Sequence, residues 1–181
     1  GGTWVELGDK PEFNPTDAVT LEAWVYPTAT AYGHRSIMGK DAEYAARQYK
    51  LAISSLNRFR PHVWGPNGEA TWFDGTTPVA LNTWYHVAMT YDRTNLILYV
   101  NGVEDSRKAA SHAIRVTTQP LRIGSDGPYP QGAPYSFPGI IDEAAVYDRA
   151  LSAAEISALH AAGCAGKCKV DSDGDGLTDL Q

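Results

Sequence analysis

Cysteine is nearly absent from this chain, with two residues, Cys164 and Cys168, in 181. Two thiolates cannot close a four-ligand structural zinc site, and no histidine stands beside them at the usual spacing. A small-loop disulfide or two free thiols remain. Positive charge is scarce as well. Fifteen Lys and Arg against 21 Asp and Glu leave a formal charge of -6. That argues against a nucleic-acid partner, whose affinity comes largely from basic side chains displacing counterions. No apolar run approaches the roughly 20 residues that span a bilayer, so membrane insertion is not expected. Neither a Gly-x-Ser-x-Gly elbow nor a His-Glu-x-x-His helix occurs. The chain opens Gly1-Gly2-Thr3 without a leader and stops inside a motif at Gln181. It reads as a mature fragment or an excised piece of a longer protein, monomeric by itself, and the missing leader says little about export.

What the chain does have is turn residues and aromatics. Gly 17, Pro 11, Tyr 10 and Trp 5 predict many turns between aromatic-rich strands rather than a helical bundle. Val19, Leu21, Ala23 and Val25 alternate with Thr20, Glu22, Trp24 and Tyr26, a strand with apolar character on both faces. Trp84 to Tyr91 is a second strong strand. Leu96 to Val100 runs into Asn101-Gly102, the clearest hairpin, because Asn-Gly tolerates the positive φ angles of a two-residue turn. Lys50 to Ser54, Arg60 to Trp64, Leu121 to Gly124 and Gly139 to Tyr147 complete the set, with Pro66-Asn67-Gly68 as a turn. Pro128, Pro130, Pro134 and Pro138 in the segment from Gly124 to Pro138 exclude a central strand and predict a surface loop. Ser152-Ala153-Ala154-Glu155 is a capping box, with Leu151 and Ile156 as its hydrophobic staple, and Gly163 suits a left-handed helix end. The expectation is an all-β fold, a two-sheet antiparallel jelly-roll sandwich with one short C-terminal helix, over residues 1–168. Residues 169–181 form a separate Asp-rich piece.

The order of these pieces resembles the laminin G-like domains of the concanavalin A-like lectin/glucanase superfamily. The resemblance rests on Leu21-Glu22-Ala23-Trp24-Val25, Trp84-Tyr85-His86-Val87-Ala88, Leu98-Tyr99-Val100-Asn101-Gly102, Leu121-Arg122-Ile123-Gly124 and Gly139-Ile140-Ile141-Asp142-Glu143. Tyr147-Asp148-Arg149-Ala150-Leu151-Ser152 ends it. Together these cover about residues 3 to 162, and they specify a fold rather than a ligand. The resemblance implies two packed sheets, with sugars or other partners bound across one of them or at its rim. It also implies a structural calcium at Asp142, partnered by Asp9 or Glu6 and nearby carbonyls. The plainer alternative is that Asp142 accepts hydrogen bonds from a loop.

Asp171, Asp173 and Asp175 stand at positions 1, 3 and 5 of an EF-hand-like calcium loop, with Gly176 at the turn. The Leu177 carbonyl takes position 7 and Asp179 position 9. Carboxylates crowded in this way favour a cation that neutralises them. The twelfth position lies beyond Gln181, so the run resembles the opening of a thrombospondin type 3-like repeat, as found in secreted and surface proteins. A solvated acidic linker is the alternative.

The superfamily includes glycoside hydrolases, which generally flank the scissile bond with two carboxyl groups. No Glu-x-Asp-x-Glu strand occurs here. Asp142 and Glu143 are adjacent and must point to opposite faces, and Asp41 and Glu43 alternate without a third acid. A non-catalytic chain is expected. The candidate ligand-binding residues are Tyr44, Arg47, Tyr49, Arg60, Trp64, Trp72 and His34, with Tyr129 and Tyr135 as a second group. Trp24, Trp84, Tyr91 and Tyr99 are expected in the core, and Trp64 or Trp72 is either core or platform. Three readings follow. The leading one is an extracellular, lectin-like carbohydrate-binding module with calcium as its ion. The others are a protein-binding cell-adhesion module and a structural spacer whose sole ligand is calcium.

Overall fold

The structure is a computed structural model that describes residues 4–30, 33–42, 46–127 and 136–166, with residues 164–166 described by backbone alone. Eleven strands are present among the described residues. They are β1 (Val5–Glu6), β2 (Val19–Pro27), β3 (Arg35–Ala42), β4 (Ala46–Ile53), β5 (Phe59–Trp64), β6 (Ala70–Trp72), β7 (Tyr85–Tyr91), β8 (Asn95–Val100), β9 (Val103–Ala109), β10 (Arg122–Ile123) and β11 (Gly139–Tyr147). A 3-10 turn at Pro11–Phe13 and helix α1 (Ala153–Gly166) complete the set. One sheet has six strands in the order β1-β10-β3-β4-β5-β6, and the other has five in the order β11-β2-β7-β8-β9. Every neighbouring pair is antiparallel. This is the all-β jelly-roll sandwich that the strand and turn pattern predicts.

The period-two alternation decides what fills the sandwich. From β2 the odd positions Val19, Leu21, Ala23 and Val25 point inward. They meet Tyr85, Val87, Met89 and Tyr91 of β7 and Leu96 and Leu98 of β8. The six-stranded sheet answers with Ile37, Met38, Tyr49, Leu51, Ile53, Phe59 and Val63. The sheets touch at Phe59 and Tyr85, whose rings meet edge to face with centroids 5.4 Å apart. Each such side chain contributes roughly 1.5–3 kcal/mol by leaving water.

The even positions of β2 point the other way, and this corrects two expectations. Trp24 is half-buried on the outside of the five-stranded sheet, stacked on His160 of α1 at 5.6 Å. Trp84 just precedes β7 and is 42% exposed, its ring tilted against Tyr26. Neither is core, because the inward positions on both strands are their odd neighbours. Tyr91 and Tyr99 are buried. Tyr99 lies on the outer side, in a second cluster where Ala88, Leu151 and Ile156 meet beneath the helix.

Helix α1 begins as its sequence predicts. The Glu155 amide donates to Ser152 Oγ at 3.3 Å, and the Ser152 amide donates to Glu155 Oε2 at 2.8 Å. Leu151 and Ile156 are both buried, as a staple requires. Gly163 breaks the helical dihedrals at φ 36. The Asn101-Gly102 turn has φ 52 and 77, as the β8–β9 hairpin needs. The segment read as a surface loop behaves differently where it is described. Ser125, Asp126 and Phe137 are buried, and the Phe137 amide donates to Gly124 O while the Gly124 amide donates to Ile37 O on β3. Residues 128–135, with Tyr129 and Tyr135, lie outside the described residues.

Helix α1 covers part of the outer face of the five-stranded sheet. The outer face of the six-stranded sheet collects polar and aromatic side chains instead, and it holds the candidate site.

Candidate functional site

Strand register builds the site. It sets six residues in a line across the six-stranded sheet: Trp72 of β6, His62 of β5, Lys50 of β4, Gly39 of β3, Arg122 of β10 and Glu6 of β1. All face outward, because the alternate residues Leu51 and Val63 face the core. Gly39 must be glycine here, since a Cβ would stand 2.5 Å from Tyr49 O and 2.8 Å from Lys50 Cα. The middle of the line therefore carries no side chain, and the flanks rise as walls.

One wall is a ladder of flat groups. His62 stacks on Trp64 with centroids 4.9 Å apart and planes 17° from parallel. It also faces Trp72, with centroids 6.2 Å apart and planes 27° from parallel. Arg47 lies over Trp64 at 5.5 Å and Arg60 over Trp72 at 4.7 Å, distances at which a guanidinium is attracted to the ring. Trp64 is 9% exposed and Trp72 45%, so only the second offers a ring to a ligand. His34 closes the ladder edge-on to His62 at 6.0 Å.

The other wall is ionic. Lys50 Nζ sits between two carboxylates, 2.6 Å from Asp41 Oδ2 and 3.0 Å from Asp126 Oδ2. Burial works against the Lys50 charge, but Asp126 and Asp41 outweigh it and keep the ammonium protonated. Arg122 donates from Nε to Glu6 Oε2 at 2.9 Å and from Nη1 to the Asp126 carbonyl at 3.1 Å. Arg60 grips Asp74 with two bonds, at 2.8 and 2.5 Å.

Several buried polar atoms on this face have no hydrogen-bond partner: both ring nitrogens of His62, His34 Nδ1, Ser36 Oγ and Asp126 Oδ1. Burial pushes the His62 imidazole well below its ordinary pKa, and Lys50 and Arg60 push it further, so the ring is neutral. His34 is lowered by burial and by the same two cations. Arg60 Nη1 lies 3.4 Å from His34 Nε2, and a guanidinium only donates. His34 Nε2 is therefore the acceptor and Nδ1 carries the proton.

Of the sequence candidates, His34, Arg47, Arg60, Trp64 and Trp72 come together here. Tyr49 does not. Its ring is fully buried in the core and its hydroxyl donates to Phe13 O at 2.8 Å, so it cannot stack on a ligand. The reason is a register shift between Lys40 and Asp41, which turns Tyr49 inward and Arg47 outward. Tyr44 lies outside the described residues. Sequence reasoning missed His62, Ser36, Lys50, Asp41, Asp126 and Arg122. The signal for His62 was present: it sits between Arg60 and Trp64 at period two on one strand. Asp126 carried no local signal.

The calcium ligands expected in the sandwich do not fit a metal as a set. Asp9 Oδ1 already takes the buried Lys40 ammonium at 2.6 Å and the Asn14 amide at 2.9 Å. Its carboxyl is held below the usual range by the hydrogen bond from Lys40, then by Asn14. Glu6 is paired with Arg122. Asp142 is exposed on β11, in the other sheet, and its Oδ1 accepts the Glu143 amide at 2.7 Å across a bulge. Among the described residues no three His, Cys, Asp or Glu side chains gather as a metal ion requires. Asp171, Asp173, Asp175, Leu177 and Asp179 lie outside the described residues, as does Cys168.

Two antiparallel sheets, one with an outer face walled by stacked rings and ion pairs, define a lectin-like β-sandwich. The chain belongs to the concanavalin A-like lectin/glucanases superfamily, whose family model matches residues 1–157. No curated protein matches it. Among solved structures it is similar to CBM40 of the Ruminococcus gnavus IT-sialidase bound to alpha2,3 sialyllactose, at 20% identity and TM-score 0.69, covering 88% of this chain and 92% of that one. It is also similar to domain 4 of AbnA, a GH43 extracellular arabinanase from Geobacillus stearothermophilus, in complex with arabinotriose. There the identity is 18% and the TM-score 0.62, over 88% of this chain and 82% of that one. A third is the binding domain of Paraclostridial Mosquitocidal Protein 1, at 14% identity and TM-score 0.69 over 87% of this chain. This chain spans 40% of that structure's length. At these identities the likeness is one of fold. No helix among the described residues is long and apolar enough to cross a membrane.

Proposed function

We propose that this chain is a non-catalytic, extracellular carbohydrate-binding module of a larger secreted or surface protein, and that it holds a saccharide on the outer face of the six-stranded sheet. The observation that carries the reading is the pairing of Trp72, an exposed ring, with the unpartnered polar groups around His62. An exposed indole offers a sugar an apolar face to stack on, and polar groups left unpaired beside it await hydroxyls. Two similar folds hold a bound saccharide, sialyllactose in one and arabinotriose in the other. The non-catalytic part rests on Lys50. Its ammonium lies between Asp41 and Asp126, so this carboxylate pair is tied to a cation rather than free to act as acid and base across a glycosidic bond. Calcium belongs to this reading through the run Asp171 to Asp179.

The second reading is a protein-binding adhesion module. Trp84 at 42% and Ile140 at 53% exposure, on the outside of the other sheet, are what favour it.

The test is a glycan array with the whole chain, wild type and Trp72→Ala side by side. Hits on one glycan class that fall at least tenfold in Trp72→Ala, with an unchanged melt, are expected. A blank array from folded protein, or full binding by the variant, rejects the site.

A further inference from the structure

We infer that this face selects an uncharged saccharide and discriminates against glycans bearing carboxylate or sulfate. The inference rests on the carbohydrate-binding reading and adds the chemical class of its ligand.

Charge closure comes first. Arg60 is neutralised by Asp74, Arg122 by Glu6, and Lys50 by Asp41 and Asp126 together. Arg47 lies 3.5 Å from Asp41 Oδ1. Four cations are thus matched by the four acids just named, each pair in contact. Sugar-acid recognition works by a cation whose donors are free to fork onto the ligand's oxygens. An incoming carboxylate would have to displace a resident acid to obtain one. It would also meet Asp126 Oδ1, which has no donor of its own. The two histidines add no positive charge, because both rings are neutral. Lys108 stands at the sheet edge and reaches the Trp72 carbonyl at 3.4 Å. It is exposed, so solvent and salt screen its pull on an anion.

The vacant hydrogen-bonding capacity points the same way. His34 Nδ1 is a donor by the tautomer that Arg60 imposes. Asp126 Oδ1 is an acceptor. Ser36 Oγ and the neutral His62 ring each do both. A mixed set of this kind suits hydroxyl groups, which give and take one bond each. A carboxylate or sulfate only accepts and would leave Asp126 unsatisfied. Ser36 and Gly39 are the small residues on this face, between the ring ladder and the ionic wall.

The experiment is an array printed with matched pairs: neutral oligosaccharides beside their sialylated, sulfated or uronate-bearing counterparts. It is probed with the whole chain at pH 7.5 and 0.15 M salt. Neutral members are expected to bind at least tenfold better than their acidic partners. His62→Phe keeps the stacked ring, removes both nitrogens and should lose at least tenfold on the neutral hits. Asp126→Asn should narrow the gap between neutral and acidic members by at least threefold. Equal or better binding of the acidic members overturns the inference while leaving the carbohydrate-binding reading intact. Unchanged binding by folded His62→Phe overturns the hydroxyl-recognition part. A blank array from folded wild-type protein rejects both.

Discussion

His62 lies flat against Trp64, their ring centroids 4.9 Å apart and their planes 17° from parallel. The contact places an imidazole in an apolar slot with three basic neighbours: Lys50, Arg60 and Arg47. A proton on that ring would lose water on both faces and repel three cations.

Stability should therefore fall in mild acid. The folded-state pKa of His62 lies below the unfolded value near 6.5. Above pH 6.5 both states are neutral and the full stability is present. Below it the unfolded chain takes up a proton that the folded chain refuses. The loss then grows by up to about 1.4 kcal/mol per pH unit until the folded pKa is reached. Urea denaturation between pH 7.5 and 5 should show it, and His62→Phe should flatten the slope. An identical slope in the variant would place the acid sensitivity elsewhere.

Trp64 and Trp72 share one sheet face but should respond oppositely to truncation. Trp64 is buried between His62 and Arg47, so Trp64→Ala should cost roughly 3–5 kcal/mol as a large-to-small change. Trp72 stands 45% exposed, so Trp72→Ala should cost much less, about 1 kcal/mol, while removing the ring a ligand would touch. Equilibrium denaturation of both variants separates the roles. Equal costs would mean that Trp72 is as structural as its neighbour.

How much of this was readable beforehand differs between fold and site. Asn101-Gly102, the Ser152–Glu155 box and the alternation in β2 are local chemistry, so turn, helix start and strand follow directly from sequence. Alternation also tells which residues share a face, but it does not tell which face is inside. Trp24 and Trp84 therefore lie outside the core that their sequence pattern suggests, because their odd neighbours fill it. Tyr49 failed for another reason, a register shift that a single strand's pattern does not display. The line from Trp72 to Glu6 depends on five strand pairings between residues up to 116 positions apart, and no window along the chain contains it.

Lys40 should act as an internal cation for the segment before β2. Its ammonium is fully buried and donates to Asp9 Oδ1 at 2.6 Å, Asn14 Oδ1 at 2.5 Å and Thr117 O at 3.2 Å. Lys40→Met keeps the stem but removes all three bonds and leaves Asp9 Oδ1 with the Asn14 amide alone, so a drop of several degrees in Tm is expected. The acid limb should change too. Asp9 is depressed below its unfolded value near 3.8 by that hydrogen bond. Its contribution is complete above that pH and is lost as pH falls through the folded pKa. In Lys40→Met the Asp9 share of acid destabilisation should shrink, because only the weaker hydrogen bond from Asn14 still lowers its carboxyl. A variant with wild-type Tm and acid limb would make the contact energetically silent.

The helix cap should outlast most other carboxylate contacts in acid. Glu155 is lowered to about 2, first by the bond from Arg149 and then by the Ser152 amide and hydroxyl. The unfolded value is near 4.5, so its contribution is full above that pH and disappears only as pH falls to about 2. An NMR titration of the Glu155 side chain should show no midpoint above pH 3. Arg149→Ala should raise the midpoint, because the largest cause is removed. Ser152→Ala should raise it less and should also destabilise by about 1 kcal/mol, the usual cost of a lost N-cap. The helix holds Leu151 and Ile156 over Ala88 and Tyr99, so loosening the cap should broaden their resonances before it affects the core between the sheets. A Glu155 midpoint near 4.5 in the wild type would mean that the Arg149 contact does not form in solution, and that the staple alone starts the helix.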